Sequence, residues 1–173
     1  MVPVILNACW SYGLHNGKPF SLRLADYTIL CRDVEKAAKN IQPMVTKATK
    51  RYRTFPKPPM PGFYKLTEQS KDVFWQHDLI INATPVGMYP HMDESPIPDE
   101  AALGLKANQT LIDLIYNPKE TKFLTQGKEH GCKCVNGRLV LIDQFVESFR
   151  LWFPRETSGC SKEELIEFAD KEL

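Results

Sequence analysis

Short apolar runs that stop at a polar turn and hand over to a helical pattern are the strongest constraint in this sequence. "VPVIL" (2–6), "DYTILC" (26–31), "LIIN" (79–82) and "TLIDLIY" (110–116) are rich in Val, Ile, Leu and aromatic residues, and "CKCV" (132–135) is a shorter run of the same kind. Their length and composition read as strands, with "FYKLTE" (63–68) a further short one. Helical patterns lie between them. "DVEKAAKNI" opens on Asp33 as N-cap and sets Val34, Ala37, Ala38 and Ile41 on one face. A short helix fits residues 70–76. "NPKETKFLTQGKEHG" reads as a helix opened near Pro118 and closed by Gly131. From Leu139 onward, Ile142, Phe145, Val146, Phe149 and Trp152 recur at helical spacing, and "SKEELIEFADKEL" adds a second amphipathic helix with Ser161 and Glu164 as a capping box. The proline-rich stretches at 56–61 and 90–99 read as surface loops. Strands alternating with helices predict an α/β fold with a mainly parallel sheet.

Sheets of this kind bind ligands beyond the carboxyl ends of their strands. "CRD", "NATPVGM" and the Tyr116 end of "TLIDLIY" all fall there, so the pattern alone points to one cleft. Composition narrows what the cleft serves. At 43% hydrophobic and 25% charged, the chain can build a core, and a net charge of +1 argues against electrostatic capture of nucleic acid or a membrane surface. No run of about 18 apolar residues is present to span a bilayer. The opening "MVPVILNACW" lacks a basic n-region and reads as a strand rather than a signal peptide. Five cysteines in no disulfide spacing predict reduced thiols and a cytoplasmic location. His130, Cys132 and Cys134 match none of the usual zinc spacings, so they are read as structural, with no metal expected.

The motifs "CRDVEKA", "DLIINATPVGM", "LIDLIYNPKETKFL" and "NGRLVLIDQFVESFRLW" resemble, in order and spacing, the nucleotide-binding half of the shikimate dehydrogenases. That family reduces 3-dehydroshikimate to shikimate with NADPH, on the route to aromatic amino acids. The match runs from about Asp26 to Pro154, and implies a Rossmann-like NAD(P)-binding domain over residues 1–154 followed by a helical extension over 155–173. On the adenosine side the resemblance implies Cys31, Arg32, Asp33 and Lys36, with Arg32 gripping the 2′-phosphate through bidentate contacts. The plain alternative for Arg32 is a surface cation. NADP is the expected cofactor; Asp33 replaces the family's usual Thr, and a carboxylate there accepts ribose hydroxyls and repels a 2′-phosphate, which makes NAD the alternative. The turn of Asn82, Ala83, Thr84, Pro85, Val86 and Met88 is implied to lie along the cofactor, with Gly87 allowing positive φ or close approach. Leu114, Gly137 and Val140 are implied beside the nicotinamide, Val140 standing where the family commonly has Met. Tyr116 and Gln144 match residues that reach the substrate. Their plain alternatives are a packed strand-end aromatic and a helix-surface amide, although a Gln among Leu139, Ile142, Phe145 and Phe149 calls for a partner if buried.

Two departures limit what the resemblance implies. The family's substrate domain, which supplies a catalytic Lys and Asp, has no counterpart in these residues, so no catalytic residue is assigned. The family's glycine-rich pyrophosphate loop is also missing: after "VPVIL" the chain reads "NACWSYGLHNGKPF", with Gly13 and Gly17 too late and a poor helix former behind them. A non-catalytic nucleotide-binding or interaction remnant and a quinate dehydrogenase-like protein are therefore the competing readings. Without a partner domain and a loop helix, apolar surface should be exposed, which predicts marginal stability or self-association. Size-exclusion chromatography with a thermal melt tests this; a monodisperse monomer melting cooperatively in the usual mesophile range would contradict it.

Overall fold

Asp33 begins the longest helix of the first half. In this computed structural model, which describes residues 14–15, 18–19, 28–51, 61–65 and 71–172, the Asp33 Oδ1 accepts the Lys36 amide at 2.9 Å and its carbonyl accepts that of Ala37 at 3.0 Å. The N-cap predicted from sequence thus starts helix α1, Val34–Arg51. Val34, Ala37, Ala38, Ile41 and Val45 are its less exposed positions, and Val45 is buried. The helix runs well past the nine-residue pattern read from the sequence. Pro43 sits inside it without ending it, because the apolar face continues to Val45.

The chain divides into two units, Met1–His77 and Asp78–Leu173. In the first, strand β3 (Thr28–Cys31) pairs in parallel with β4 (Gly62–Lys65), with Thr28 opposite Gly62 and Cys31 opposite Lys65. Helix α1 connects them and α2 (Lys71–Gln76) follows, as the pattern predicts. Ahead of them, β1 (Leu14–His15) and β2 (Lys18–Pro19) form an antiparallel ladder with His15 opposite Lys18. The two intervening residues in sequence are Asn16 and Gly17, the pair that most favours a two-residue hairpin. The predicted strand at 2–6, the positions of the missing glycine loop at 7–13 and most of the proline-rich stretch at 56–61 lie outside the described residues.

In the second unit β5 (Leu79–Asn82), β6 (Thr110–Asp113) and β7 (Lys133–Val135) form a parallel sheet in the order β5-β6-β7. Leu79 lies opposite Thr110, and Thr110 opposite Lys133. Central β6 buries Leu111 and Asp113 completely. Helix α3 (Asp99–Ala102) precedes β6, and α4 (Lys122–Glu129) covers the sheet with Phe123 and Leu124. Gly131, at φ +76°, closes α4 where the sequence placed its end. Helix α5 (Arg138–Trp152) packs on α6 (Lys162–Glu172) through Ile142, Val146 and Leu165, with Phe145 and Phe149 stacked at 5.5 Å between centroids. The Glu164 carboxylate accepts from the Ser161 amide at 2.7 Å, and Ser161 Oγ accepts the Glu164 amide at 3.1 Å, which is the expected capping box. Among the described residues no helix is long and apolar enough to cross a membrane.

Two boundaries around β6 and α4 also differ from the sequence reading. The strand predicted over 110–116 ends at Asp113, and the helix expected from Pro118 begins only after Thr121. Both shifts have one cause, described below. The thiols of Cys132 and Cys134 donate to the carbonyls of Lys106 and Leu124 at 3.2 and 3.4 Å, and burial raises the pKa of both.

Gly127 shows how tightly α4 meets the sheet. A Cβ there would lie 2.6 Å from Leu111 Cδ2 and 2.9 Å from Cys134 Sγ. Alanine would gain about 1 kcal/mol of helix propensity. Overpacking a buried contact costs about 1–3 kcal/mol, and fully buried Leu111 has no room to yield. Gly127→Ala is therefore expected to lower the urea midpoint; an unchanged or raised midpoint would show that the interface can relax.

Candidate functional site

The carboxyl end of β5 delivers Asn82 into a turn held by its own side chain. Asn82 is 3% exposed. Its Oδ1 accepts the Thr84 amide at 3.0 Å and the Thr84 hydroxyl at 2.7 Å. Its Nδ2 donates to the Val86 carbonyl and to Asp113 Oδ1, both at 3.1 Å. Thr84 Oγ1 accepts the Val86 amide at 3.2 Å, and the Met88 amide donates to the Pro85 carbonyl at 3.1 Å. Gly87 adopts φ +96°, which L side chains rarely take, and lies close to the Glu94 carbonyl. The outcome is a turn whose Thr84, Pro85 and Met88 are exposed, whose Ala83 and Val86 are half-buried, and whose Asn82 faces inward.

The end of β6 is set by Asp113, which has no exposure. Its Oδ1 accepts the Ile115 amide at 3.0 Å beside the Asn82 amide, and its Oδ2 accepts the Thr121 hydroxyl at 2.6 Å. Capturing the Ile115 N–H turns the chain out of the ladder, although Leu114 still donates to the Asn82 carbonyl at 3.1 Å. Thr121, fixed by the same carboxylate, accepts the Leu124 amide at 3.4 Å and so starts α4. Burial raises the Asp113 pKa, and the bonds from Thr121, Ile115 and Asn82 oppose that shift without cancelling it. Asp113 and Thr121 were given no role by sequence reading. Their signal was the spacing "D-x-x-Y-x-P-x-E-T", which carries both.

After β7, Gly137 donates its amide to the Ile115 carbonyl at 3.0 Å. A Cβ on Gly137 would collide with the Leu114 carbonyl oxygen and lie 2.9 Å from the Ile115 carbonyl carbon. Backbone therefore meets backbone here, and only glycine fits. Val140 follows half-buried in the first turn of α5. Tyr116 is 53% exposed beyond the β6 end. Gln144 is exposed as well, so the partner expected for a buried amide is not needed: two residues from Ile142 is about 200° around the helix, on the other face.

One strand-end edge of the second unit thus gathers the turn from Asn82 to Met88 with Leu114, Tyr116 and Gly137. In the first unit, Cys31 is half-buried with its thiol donating to the Asp33 and Tyr64 carbonyls at 3.6 and 3.8 Å. Desolvation, and then the Asp33 charge, raise its pKa. Arg32, Asp33 and Lys36 are exposed at the β3 end, and one Asp33 oxygen already caps α1. Among the described residues no group of His, Cys, Asp and Glu is arranged to hold a metal ion.

Gly137→Ala is expected to destabilise the chain by about 1–3 kcal/mol, since the obstructing atoms are main chain. Gly159 has nothing within 4 Å of its Cβ position, so Gly159→Ala should stay within about 0.5 kcal/mol. Equal denaturant midpoints for the two variants would refute the close approach.

No family model matches the chain. Over 130 residues it is 38% identical to the NADP-dependent shikimate dehydrogenase of Methanococcus vannielii, covering 73% of this chain and 42% of that protein. Over 75 residues it is 47% identical to the Methanococcus aeolicus enzyme of the same name, covering 43% of this chain and 26% of that one. A solved shikimate dehydrogenase in complex with NADP+ aligns with a TM-score of 0.59 at 29% identity, over 85% of this chain and 46% of that one. The chorismate mutase/shikimate 5-dehydrogenase fusion protein from Clostridium acetobutylicum aligns with a TM-score of 0.58 at 28% identity, over the same shares. The chain spans less than half the length of each of these relatives. It is a partial relative of the NADP-dependent shikimate dehydrogenases, with a Rossmann-like fold of parallel sheets flanked by helices.

Proposed function

We propose that this chain is the nucleotide-binding part of a shikimate dehydrogenase, taking NADPH for the reduction of 3-dehydroshikimate. The observation that supports this most is the β5–β7 edge, where Gly137 packs its backbone directly on the Leu114 main chain and Thr84 and Met88 stand exposed. An edge lined by backbone and small polar groups suits the flat carboxamide ring and ribose of a nicotinamide nucleotide. When bound, the nucleotide supplies the hydride. Asn82, Ala83, Thr84, Pro85, Val86 and Met88 would line it, and Leu114, Gly137 and Val140 would flank the ring. Tyr116 and Gln144, both exposed, would offer a phenol and an amide to a polyhydroxylated acid.

In the first unit Arg32 and Lys36 are the proposed partners of the 2′-phosphate. Cys31 and Asp33 complete that strand end. Asp33 is partly engaged in capping α1, which weakens its repulsion of a phosphate and favours NADP. Its free oxygen keeps NAD as the second reading. We further propose a nucleotide-binding domain over 1–154 with a helical extension over 155–173, a cytoplasmic location, no nucleic-acid partner and a tendency to self-associate. No residue here matches the family's proton-transferring Lys and Asp, so this chain alone is not expected to turn over.

Titration with NADPH, followed by nicotinamide fluorescence, should give a Kd below about 1 mM, roughly −4 kcal/mol. NADH should bind more weakly. Arg32→Ala should weaken NADPH roughly tenfold while changing NADH little, because only the 2′-phosphate loses a partner. No binding of either nucleotide would overturn the proposal, and equal loss for both would remove Arg32 from the phosphate. Reduction of 3-dehydroshikimate by the isolated chain would contradict the reading that the proton-transfer pair is missing.

A further inference from the structure

We propose that Asp113 is the positioning residue of this edge, and that through Asn82 it makes the exposed Thr84 hydroxyl a hydrogen-bond acceptor toward a ligand. The inference rests on the nucleotide-binding reading for its ligand, but its relay is internal to the chain. Asp113 is wholly buried and touches no ligand itself. An ionised carboxylate only accepts. Whatever faces it must therefore donate, and three groups do: the Asn82 Nδ2, the Ile115 amide and the Thr121 hydroxyl.

This requirement fixes the Asn82 amide. Its nitrogen faces two acceptors, Asp113 Oδ1 and the Val86 carbonyl. Its oxygen faces the Thr84 N–H, which can only donate. The flipped amide would set oxygen against oxygen on one side and N–H against N–H on the other. With Asn82 Oδ1 so placed, the Thr84 hydroxyl proton goes to it at 2.7 Å. Thr84 Oγ1 then has only lone pairs left, one of them on the Val86 amide at 3.2 Å. The other is available to a ligand that donates, such as a ribose hydroxyl or a carboxamide NH2. A phosphate oxygen would find no proton there.

Among the described residues, the groups bonded to Asp113 are all uncharged: Asn82 from β5, the Ile115 amide from its own turn, and Thr121 from the start of α4. The nearest cation in sequence on that helix, Lys122, is paired with Asp99 at 3.0 Å. Neutralising Asp113 removes an acceptor and should be felt two bonds away, at Thr84.

Two measurements on the full chain test this. In amide NMR without ligand, the Ile115 and Thr84 amide protons should titrate together with one midpoint above the ordinary aspartate range, and Asp113→Asn should abolish both responses. A Thr84 amide that does not follow Ile115 overturns the relay. In calorimetric titration with NADP+ at neutral pH, Thr121→Val should weaken binding at least tenfold. Thr121→Ser, which keeps the hydroxyl on Asp113 Oδ2, should restore it to within about threefold, equivalent to about 0.7 kcal/mol. If Thr121→Val binds like the wild type, the positioning role fails while nucleotide binding stands. If the wild type binds no NADP+ yet the two amides titrate together, the nucleotide reading fails and the relay stands.

Discussion

A carboxylate without solvent contact is costly, and the edge of the second unit is organised around that cost. Asp113 loses its hydration, which raises its pKa, and recovers part of the loss through three donors. The ionised form is thus disfavoured in the native state. The contribution of Asp113 to stability is full below its unfolded pKa and declines as the pH rises through the raised folded value. A neutral side chain would avoid that penalty. It would not accept from all three donors at once, and those donors belong to the β5 turn, the β6 turn and the start of α4. The same group that weakens the fold as it ionises makes the geometry of three segments unique.

Glycine completes what the carboxylate arranges. Once the Ile115 amide is turned toward Asp113, the Leu114–Ile115 main chain lies across the path of the chain leaving β7. Gly137 passes it because it has no Cβ, and its amide finds the Ile115 carbonyl. Asn136 secures the same passage, donating to the Lys119 carbonyl at 3.1 Å and accepting the Arg138 amide at 3.1 Å. Gly127 plays the parallel role beneath, letting α4 settle on Leu111 and Cys134. Main chain lines the rim for this reason, with Thr84 and Tyr116 projecting from it.

The alternation of strands and helices was legible because the strands are short, apolar and flanked by clear helical faces. The run Leu79–Asn82 was read to the residue, and the caps at Asp33 and Ser161 were visible in the residue types. The misread boundaries share a cause. Leu114, Ile115 and Tyr116 are good strand formers, and nothing local says that Asp113 will take the Ile115 amide. Pro118 is a fair first residue for a helix, and nothing local says that Thr121 will be held eight residues from the aspartate that fixes it. Propensity is a property of neighbours in sequence, whereas these ends were decided by a contact between segments. The setting of Gln144 was legible only from helical phase: its apolar neighbours in sequence point to another face of α5.

A family motif mixes two kinds of residue, and the structure separates them. Thr84, Met88 and Tyr116 are exposed and can touch a ligand, while Asn82, Asp113, Thr121 and Gly137 are buried and determine where the exposed ones stand. Every bond described at this edge is made between residues 82 and 138, and none draws on residues 7–25, where the sequence departs from the family. The two facts are therefore separable. Among the described residues, the donors to Asp113 and the clearance beside Gly137 come from this segment itself. Among the described residues, the edge built by Asn82, Asp113, Thr121 and Gly137 holds its geometry through hydrogen bonds made between residues 82 and 138, so the exposed Thr84 and Tyr116 are placed by their own segment.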